Sequence, residues 1–250
     1  MNERFFSIDG QWNVVHLPEQ PNGFGVLLLG DRNYFVQSNN SSWLQNPERT
    51  FFLKELTQAG YTVFTSNLYG NHWGSEPACQ LALQLHHVLQ RQEILNDKVH
   101  IIAEGMGALV AVKLLQQAPE QFRSAVLINP CLHLYRFYKK ERKTKLFYKR
   151  LLYELSEAYG VDTSEVEAKV LKKNHLWQLE QSPPIRMVIE MGNEPFSLED
   201  HGRRFEQYQR QRGLEVSLSL HLPKKPFSYY AHPTLSHLKK NEKLEKKSSL

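Results

Sequence analysis

The residues with the clearest chemical pattern form a strand–turn–helix unit in the middle of the chain. The segment Val99-His100-Ile101-Ile102-Ala103-Glu104 is a short, mostly apolar run, and a second apolar run with helical spacing begins at Gly107. Only a very tight turn fits between them, and the two periodicities indicate a buried strand followed by a helix that packs back on it. In the pattern Gly-x-Ser-x-Gly, a turn of this kind presents a nucleophilic serine at its apex.

Gly105 stands at the position where that nucleophile would be, because the turn reads Ala103-Glu104-Gly105-Met106-Gly107. Glycine has no side-chain atom that can attack a substrate. The apex residue adopts a strained backbone conformation, which costs a residue with a Cβ on the order of 1–3 kcal/mol. Glycine adopts such a conformation with little penalty. We therefore expect no serine-hydrolase chemistry at this turn.

Strands and helices alternate around the turn. Apolar runs predict strands at 24–30, 61–68, 99–104, 124–130, 185–192 and 214–222. Helical spacing predicts helices at 51–59, from Ser75 to about Leu89, from Gly107 to before Pro119, at 198–212 and at 232–237. Asp9-Gly10 predicts the turn of a hairpin across Phe5–Leu17. This order predicts an α/β fold, with a mostly parallel central sheet between helices and the hairpin as its antiparallel edge.

Length and composition are those of an ordinary globular protein. The chain has 250 residues, of which 41% are hydrophobic and 23% charged, enough for one large domain with a core. The two cysteines, Cys79 and Cys131, cannot make a disulfide framework, so they favour a reducing compartment. The sequence shows no apolar stretch typical of a signal peptide or of a membrane span. We therefore expect a cytoplasmic protein.

Residues 132–182 interrupt the alternation, because they contain no strand-like run. Their spacing predicts a helix from Leu134 to Tyr159, another from Ser164 to Leu171 and a short one around Trp177. Positions 136–150 carry eight Lys or Arg against one acid, with aromatic residues between them. Such a segment can lie on an anionic membrane surface or bind nucleic acid, although a solvated helix face is the simpler interpretation. The modest net charge of +5 does not favour nucleic acid.

The order of elements, the turn at Gly105 and the helical insertion after Pro130 resemble the α/β-hydrolase superfamily. More specifically, the chain resembles its lysophospholipase- and serine-aminopeptidase-like branch, over about Gly23 to His237. The resemblance implies an α/β-hydrolase fold and no cofactor or metal.

The resemblance also implies a division of the chain. Residues 1–131 and 183–238 would form the α/β-hydrolase core, and residues 132–182 a helical cap over the active site. Residues 239–250 hold five Lys and two Glu with little apolar surface, so we expect a disordered tail there.

The family's functional positions fall on a degraded set of residues. Leu29-Gly30-Asp31 matches the oxyanion loop, so the backbone N–H groups of Asp31 and Met106 would form the oxyanion hole. A carboxylate on Asp31 would oppose an oxyanion if it pointed inward. The family's acid position falls on Pro195, which leaves the neighbouring Glu194 as a vestigial acid. His232 is the preferred base, with His237 as the alternative.

The resemblance implies an esterase- or lysophospholipase-like protein, but a triad needs a nucleophile, a base and an orienting group. We expect a pseudoenzyme that binds a small-molecule or lipid-like ligand or acts as a scaffold. The alternative is an active carboxylic-ester hydrolase with another nucleophile, for which Glu104 and Cys131 are candidates. The partial G-x-G-x-x-G at 105–110 is weak support for dinucleotide binding, because Val110 replaces its third glycine.

Overall fold

The structure is a computed structural model that describes residues 2–145, 147–172, 178–192 and 195–242. Its centre is a sheet of eight strands. They are β1 (Asn2–Ile8), β2 (Gln11–Leu17), β3 (Gly25–Leu29), β4 (Thr62–Ser66), β5 (Val99–Glu104), β6 (Phe122–Ile128), β7 (Ile185–Glu190) and β8 (Val216–His221). The strand order is β1-β2-β4-β3-β5-β6-β7-β8.

The sheet is mostly parallel, as predicted. β1 and β2 form the N-terminal hairpin, and β2 also pairs antiparallel with β4. All other neighbours are parallel. The carboxyl ends of β3, β5, β6 and β7 therefore meet at one edge of the sheet, where the loops that follow them can form a site.

Helices cover both faces of the sheet. They are α1 (Ser42–Gln45), α2 (Pro47–Gln58), α3 (Glu76–Gln92), α4 (Gly107–Gln117), α5 (Leu134–Thr144), α6 (Tyr148–Tyr159), α7 (Arg204–Gln211) and α8 (Ala231–Lys240). One apolar layer includes residues of α3, α4, α5 and α6, and a second includes residues of α2 and α8. β5 contributes alternate residues to the two layers, Ile101 to the first and Ile102 to the second, because side chains alternate along a strand. Within the described residues, no helix is long and apolar enough to cross a membrane.

Three sequence expectations about the helices need correction. The single helix predicted from Leu134 to Tyr159 is wrong, because α5 ends at Thr144 and Lys145 has a left-handed backbone with φ of 59°. The predicted tail begins too early, since α8 continues to Lys240. The short helix α1 lies between the strand predicted at 24–30 and the helix predicted at 51–59, where no element was expected. The expected helix around Trp177 and the tail from residue 243 lie outside the described residues.

Gly107 lets α4 approach β3 closely. A Cβ at this position would lie 2.6 Å from the carbonyl oxygen of Leu29 and 2.8 Å from that of Gly30. Both neighbours are backbone atoms at the end of a central strand, so neither can move aside at low cost. The close approach holds the turn at Gly105 against the loop that follows β3.

We expect Gly107→Ala to lower the free energy of unfolding by about 1–3 kcal/mol, because the added methyl group overpacks against backbone. Urea denaturation followed by circular dichroism measures the change. Gly202→Ala is the matched control, since a Cβ there would meet only the ends of the flexible side chains of Ile189 and Leu198. Equal stability of Gly107→Ala and the parent protein would contradict the close packing described here.

Candidate functional site

Gly105 forms the apex of a tight turn between β5 and α4, as the sequence predicts. Its φ of +49° is left-handed, a region that glycine enters without a steric penalty. Its N–H donates to the carbonyl oxygen of Ile128 at 3.0 Å, and its own carbonyl accepts from the Cys131 N–H at 2.8 Å. Residues 104–107 are all buried. The turn is thus fixed to the end of β6 and closed to solvent.

The carboxyl group of Asp31 fills the space beside the apex. Oδ1 of Asp31 accepts a hydrogen bond from the Met106 N–H at 2.8 Å. A Cβ built on Gly105 would overlap the Asp31 carboxyl group, with all three of its outer atoms within 2.5 Å. No side chain larger than hydrogen fits at position 105 while Asp31 keeps this position. The Met106 N–H, expected from the sequence to be an oxyanion donor, therefore donates to the chain's own carboxyl group.

Opposing influences act on the charge of Asp31. Burial raises the pKa of its carboxyl group. The N–H groups of Met106 and Arg32 and the positive charges of Arg32 and Arg49 act in the opposite direction, because they stabilise the ionised form. Asp31 therefore has the backbone and cationic partners that a carboxylate needs in a buried turn.

Glu104 points to the opposite face of the sheet and is held there by two partners. Its Oε2 accepts from the Tyr34 hydroxyl at 2.8 Å, and its Oε1 pairs with the Arg49 guanidinium at 2.6 Å. The guanidinium carbon of Arg49 lies 4.5 Å from the centre of the Phe227 ring, which fixes its position. Burial raises the pKa of Glu104 to about 8, although the charge of Arg49 acts against that rise. Both carboxyl oxygens are thus engaged away from Gly105.

Cys131 is buried directly after β6. Burial raises the pKa of its thiol well above the usual value, and the nearby charge of Asp31 adds to the rise. A cysteine attacks as the thiolate, so this environment suits an inert thiol and not a nucleophile.

The two candidate histidines have different environments on α8. His232 is exposed at the start of α8. His237 is buried, and its Nε2 lies 3.2 Å from the carbonyl oxygen of Pro184. Pro184 directly precedes β7, so His237 lies at the amino end of the parallel strands, away from Gly105. Glu194, the expected acid, lies outside the described residues.

His201 is a buried histidine whose position the sequence did not reveal. Its Nδ1 accepts from the N–H groups of Leu132 at 2.9 Å and His133 at 3.1 Å. Burial lowers the pKa of its ring to about 3, so the ring is neutral. It holds the loop that follows β6 through two backbone hydrogen bonds.

Polar residues at the carboxyl ends of β6 and β7 form a second network that sequence reasoning missed. The Tyr230 hydroxyl donates to Glu190 Oε2 at 3.2 Å, and Asn129 Oδ1 accepts from the Glu190 N–H at 2.8 Å. Asn129 has a left-handed backbone with φ of 43°. The only signal in the sequence was the Asn129-Pro130 pair at the end of a strand.

Helices α5 and α6 contact the loop that follows β4 through Trp73. The Trp73 ring stacks on Phe137 of α5 with centroids 5.5 Å apart. Its Nε1 donates to Glu154 of α6 at 2.9 Å, and its carbonyl accepts from the Tyr159 hydroxyl at 2.9 Å. The guanidinium carbon of Arg32 lies 5.6 Å from the centres of both stacked rings. Helices α5 and α6 are thus fastened to the loop that follows β4, whose Trp73 N–H lies 3.2 Å from the Met106 sulfur.

Two cavities border helix α6. One of about 150 Å³ lies between the loop that follows β3 and helices α5 and α6, and Arg32, Asn33 and Phe147 are among its lining residues. The other, of about 500 Å³, lies between the loop that follows β4 and α6, and Tyr69 and Tyr153 contribute to its wall. Within the described ranges, no group of three or more His, Cys, Asp and Glu side chains could hold a metal ion.

The raised pKa of Glu104 predicts a pH-dependent stability. Its pKa of about 8 in the folded state lies above the ordinary value of about 4.3, so the folded state binds more protons between these limits. The contribution of Glu104 to stability is therefore present at about pH 4 and is lost as the pH rises through 8. In Glu104→Gln this contribution is absent, because the amide does not titrate.

We expect the unfolding free energy of the parent minus that of Glu104→Gln to fall steadily between pH 5 and pH 8.5. Urea denaturation of both proteins across this range measures the difference. Glu3→Gln is the control, because Glu3 is an exposed carboxylate on β1. A difference that stays flat would mean that Glu104 remains ionised against Arg49 throughout.

Comparisons with known proteins agree with this geometry. A family model described as "alpha/beta hydrolase fold" matches residues 35–155. Comparison with curated protein sequences finds no significant match. Among solved structures, the acylaminoacyl peptidase of Pyrococcus horikoshii is similar at a TM-score of 0.69 and 13% identity, over 100% of this chain and 43% of that one.

Two further structures show the same similarity. A puromycin-hydrolysing peptidase of Mycobacterium tuberculosis gives a TM-score of 0.71 at 13% identity, over 97% of this chain and 40% of that one. Est1E from Butyrivibrio proteoclasticus gives 0.68 at 9% identity, over 96% of this chain and 99% of that one. The chain thus spans less than half of the two peptidases and nearly all of Est1E.

At these identities the similarity concerns the fold, and fold alone does not establish an activity. The strand order, the strand–turn–helix unit at Gly105 and the family model point to the same fold. The chain has an α/β-hydrolase fold.

Proposed function

We propose that this protein is a non-hydrolytic α/β-hydrolase-fold protein with a ligand-binding or scaffold role. The observation that carries the proposal is the Asp31 carboxyl group, which accepts the Met106 N–H and occupies the space of a side chain at position 105. The chain's own residue thus takes the place of both a nucleophile and a bound oxyanion.

The charge of Asp31 supports this proposal. Acyl transfer needs hydrogen-bond donors aimed at the oxygen on which negative charge develops. Here the Met106 donor is already used, and an ionised Asp31 beside it would repel a developing oxyanion. At an effective dielectric constant of 20, two like charges 4 Å apart repel by roughly 4 kcal/mol. That repulsion would cancel the benefit of a typical oxyanion donor, which is about 3–4 kcal/mol.

The environments of three histidines are a second support. His232 is exposed, and His237 contacts Pro184 at the amino end of β7. His201 uses its Nδ1 to accept two backbone N–H groups. No hydrogen bond that the structure describes joins any of these three rings to residues 104–107.

The alternative is an ester hydrolase that uses another nucleophile. The environments of the two candidate nucleophiles, Glu104 and Cys131, do not favour it. Glu104 is engaged with Arg49 and Tyr34, and the Cys131 thiol is protonated at neutral pH. Neither residue has the activated, accessible character of a nucleophile.

A cavity beside α6 supports a ligand-binding role. The cavity of about 500 Å³ beside α6 falls within the usual size range of small-molecule sites. Tyr69 and Tyr153 on its wall are 41% and 61% exposed, so they offer aromatic surface to a ligand. Gly105 is not among the residues that line this cavity, so a ligand there need not contact position 105.

The test is covalent labelling with a fluorophosphonate, together with hydrolysis of p-nitrophenyl acetate and butyrate. We expect the parent protein, Gly105→Ser and the double variant Asp31→Gly/Gly105→Ser all to remain unlabelled and at the background rate. The double variant is needed because a serine at 105 fits only when the Asp31 carboxyl group is removed. The two substitutions together should unfold at higher urea concentration than Gly105→Ser alone.

Two outcomes would contradict this proposal in different ways. Turnover by the parent protein would show an active hydrolase with another nucleophile. Labelling of the double variant would show that a base and an acid are still assembled around position 105. Asp31→Gly alone is the control for nonspecific effects of removing the carboxyl group, and a serine esterase of known activity confirms that the reagents react.

A further inference from the structure

We propose that the turn between α5 and α6 docks on an anionic phospholipid surface. The cap hairpin, defined here as Leu134–Tyr159, presents at its turn a set of lysines around an exposed phenylalanine. This inference does not depend on whether position 105 is catalytic.

The net positive charge of the whole chain can be accounted for by the cap hairpin. Positions 134–159 carry eight Lys or Arg and three acids, a net charge of +5. The rest of the chain then carries 23 Lys or Arg and 23 acids, so it is formally neutral. A charge excess confined to one tenth of the chain creates a local positive field rather than a diffuse one.

Six of the eight basic residues of the hairpin form two groups. Three arginines pair with acids of the cap or the core: Arg136 with Asp200 at 2.7 Å, Arg142 with Glu167 at 3.2 Å and Arg150 with Glu154 at 2.7 Å. The lysines at the turn differ. Lys143, Lys145 and Lys149 are exposed, and none of them forms an ion pair with an acid that the structure describes.

Phe147 supplies an apolar group between these lysines. It is 56% exposed. The left-handed Lys145 ends α5, so Phe147 lies between the end of α5 and the start of α6. The two helices are held together, since the Tyr138 and Tyr148 hydroxyl groups lie 3.2 Å apart.

The side of each helix that faces away from these lysines is buried against the rest of the protein. Leu134, Phe137 and Tyr138 of α5 are buried, as are Leu151 and Leu155 of α6. The hairpin therefore shows its polar and basic side outward on a fixed base. A membrane surface suits this shape, because lysines attract anionic headgroups while an aromatic ring enters the interface.

Nucleic acid fits this turn less well. Phosphate and base recognition in proteins relies strongly on arginine, and the arginines of this hairpin are the residues already paired with acids. The three lysines without a described ion pair, Lys143, Lys145 and Lys149, surround an exposed apolar ring and not the aromatic-lined groove along which single-stranded nucleic acid is bound.

Vesicle co-sedimentation of the full chain tests the proposal. The probes are large unilamellar vesicles of phosphatidylcholine alone and of phosphatidylcholine with 30% phosphatidylglycerol. We expect binding only to the anionic vesicles, with a partition coefficient that falls steeply between 0.05 and 0.5 M NaCl. Each lysine near an anionic surface is worth on the order of fivefold in binding, so replacing three should cost at least about a hundredfold.

The decisive comparison uses two triple variants with the same change in net charge. The tip variant replaces Lys143, Lys145 and Lys149 by Glu, and the control replaces the exposed Lys54, Lys225 and Lys239 by Glu. We expect the tip variant to lose binding and the control to keep most of it. Phe147→Ser, which leaves the charge unchanged, should weaken binding about tenfold at every salt concentration, because it removes the interfacial anchor. All variants change exposed side chains, and circular dichroism and thermal unfolding establish that each is folded.

Three results would overturn the proposal. One is the absence of binding to the anionic vesicles at 0.05 M NaCl. Another is an equal loss in the tip and control variants, which would show attraction by overall charge. The third is binding to a DNA or RNA oligonucleotide that is tighter than binding to vesicles and is unaffected by Phe147→Ser, which would make nucleic acid the partner.

Discussion

The hydrogen bond between the Met106 N–H and the Asp31 carboxyl group is the interaction on which the site depends. It joins the loop after β3 to the first turn of α4, at the point where a nucleophile would otherwise project. The bond and the glycine at position 105 require each other, because a Cβ there would overlap the carboxyl group. Gly107 completes the arrangement by allowing α4 to approach the Leu29 and Gly30 carbonyls. A buried carboxyl group, a left-handed glycine and a close helix–strand contact therefore form one unit, and a change in any one of them affects the other two.

The loops around this unit remain strained although position 105 is glycine. Leu68, Tyr69, Trp73 and Asn129 all have positive φ values between 43° and 62°. Residues with a Cβ adopt this conformation at a cost of on the order of 1–3 kcal/mol each, and only where the surrounding contacts determine it. Around Trp73 these contacts are the stacking on Phe137, the bond to Glu154 and the bond from Tyr159. Helices α5 and α6 thus hold the loop after β4 in a conformation that the loop would not adopt alone.

Much of the fold could be predicted from the sequence, because the parallel strands are continuous apolar runs between polar loops. The hairpin, the strand–helix alternation and the turn at Gly105 all follow from local patterns. The break at Lys145 could not be predicted, since helical spacing continues across it and only the backbone reverses. For the site, the sequence placed Asp31 beside Met106 and noted the consequence of an inward carboxylate. It could not show that the carboxyl group occupies the space of a side chain at 105, which depends on the three-dimensional distance between two loops.

The histidines show why residue type and chain order were not enough for the remaining positions. His237 follows the last strand, as the family base should, yet α8 carries it down to Pro184 at the amino end of β7. Tyr230, one residue before α8, lies instead at the carboxyl edge, bonded to Glu190. A helix rises about 1.5 Å per residue, so the seven residues from Tyr230 to His237 span about 10 Å along the helix axis. The residue at which α8 starts therefore determines which side chain lies at the carboxyl edge of the sheet. In this chain that side chain is Tyr230, which is hydrogen-bonded to Glu190.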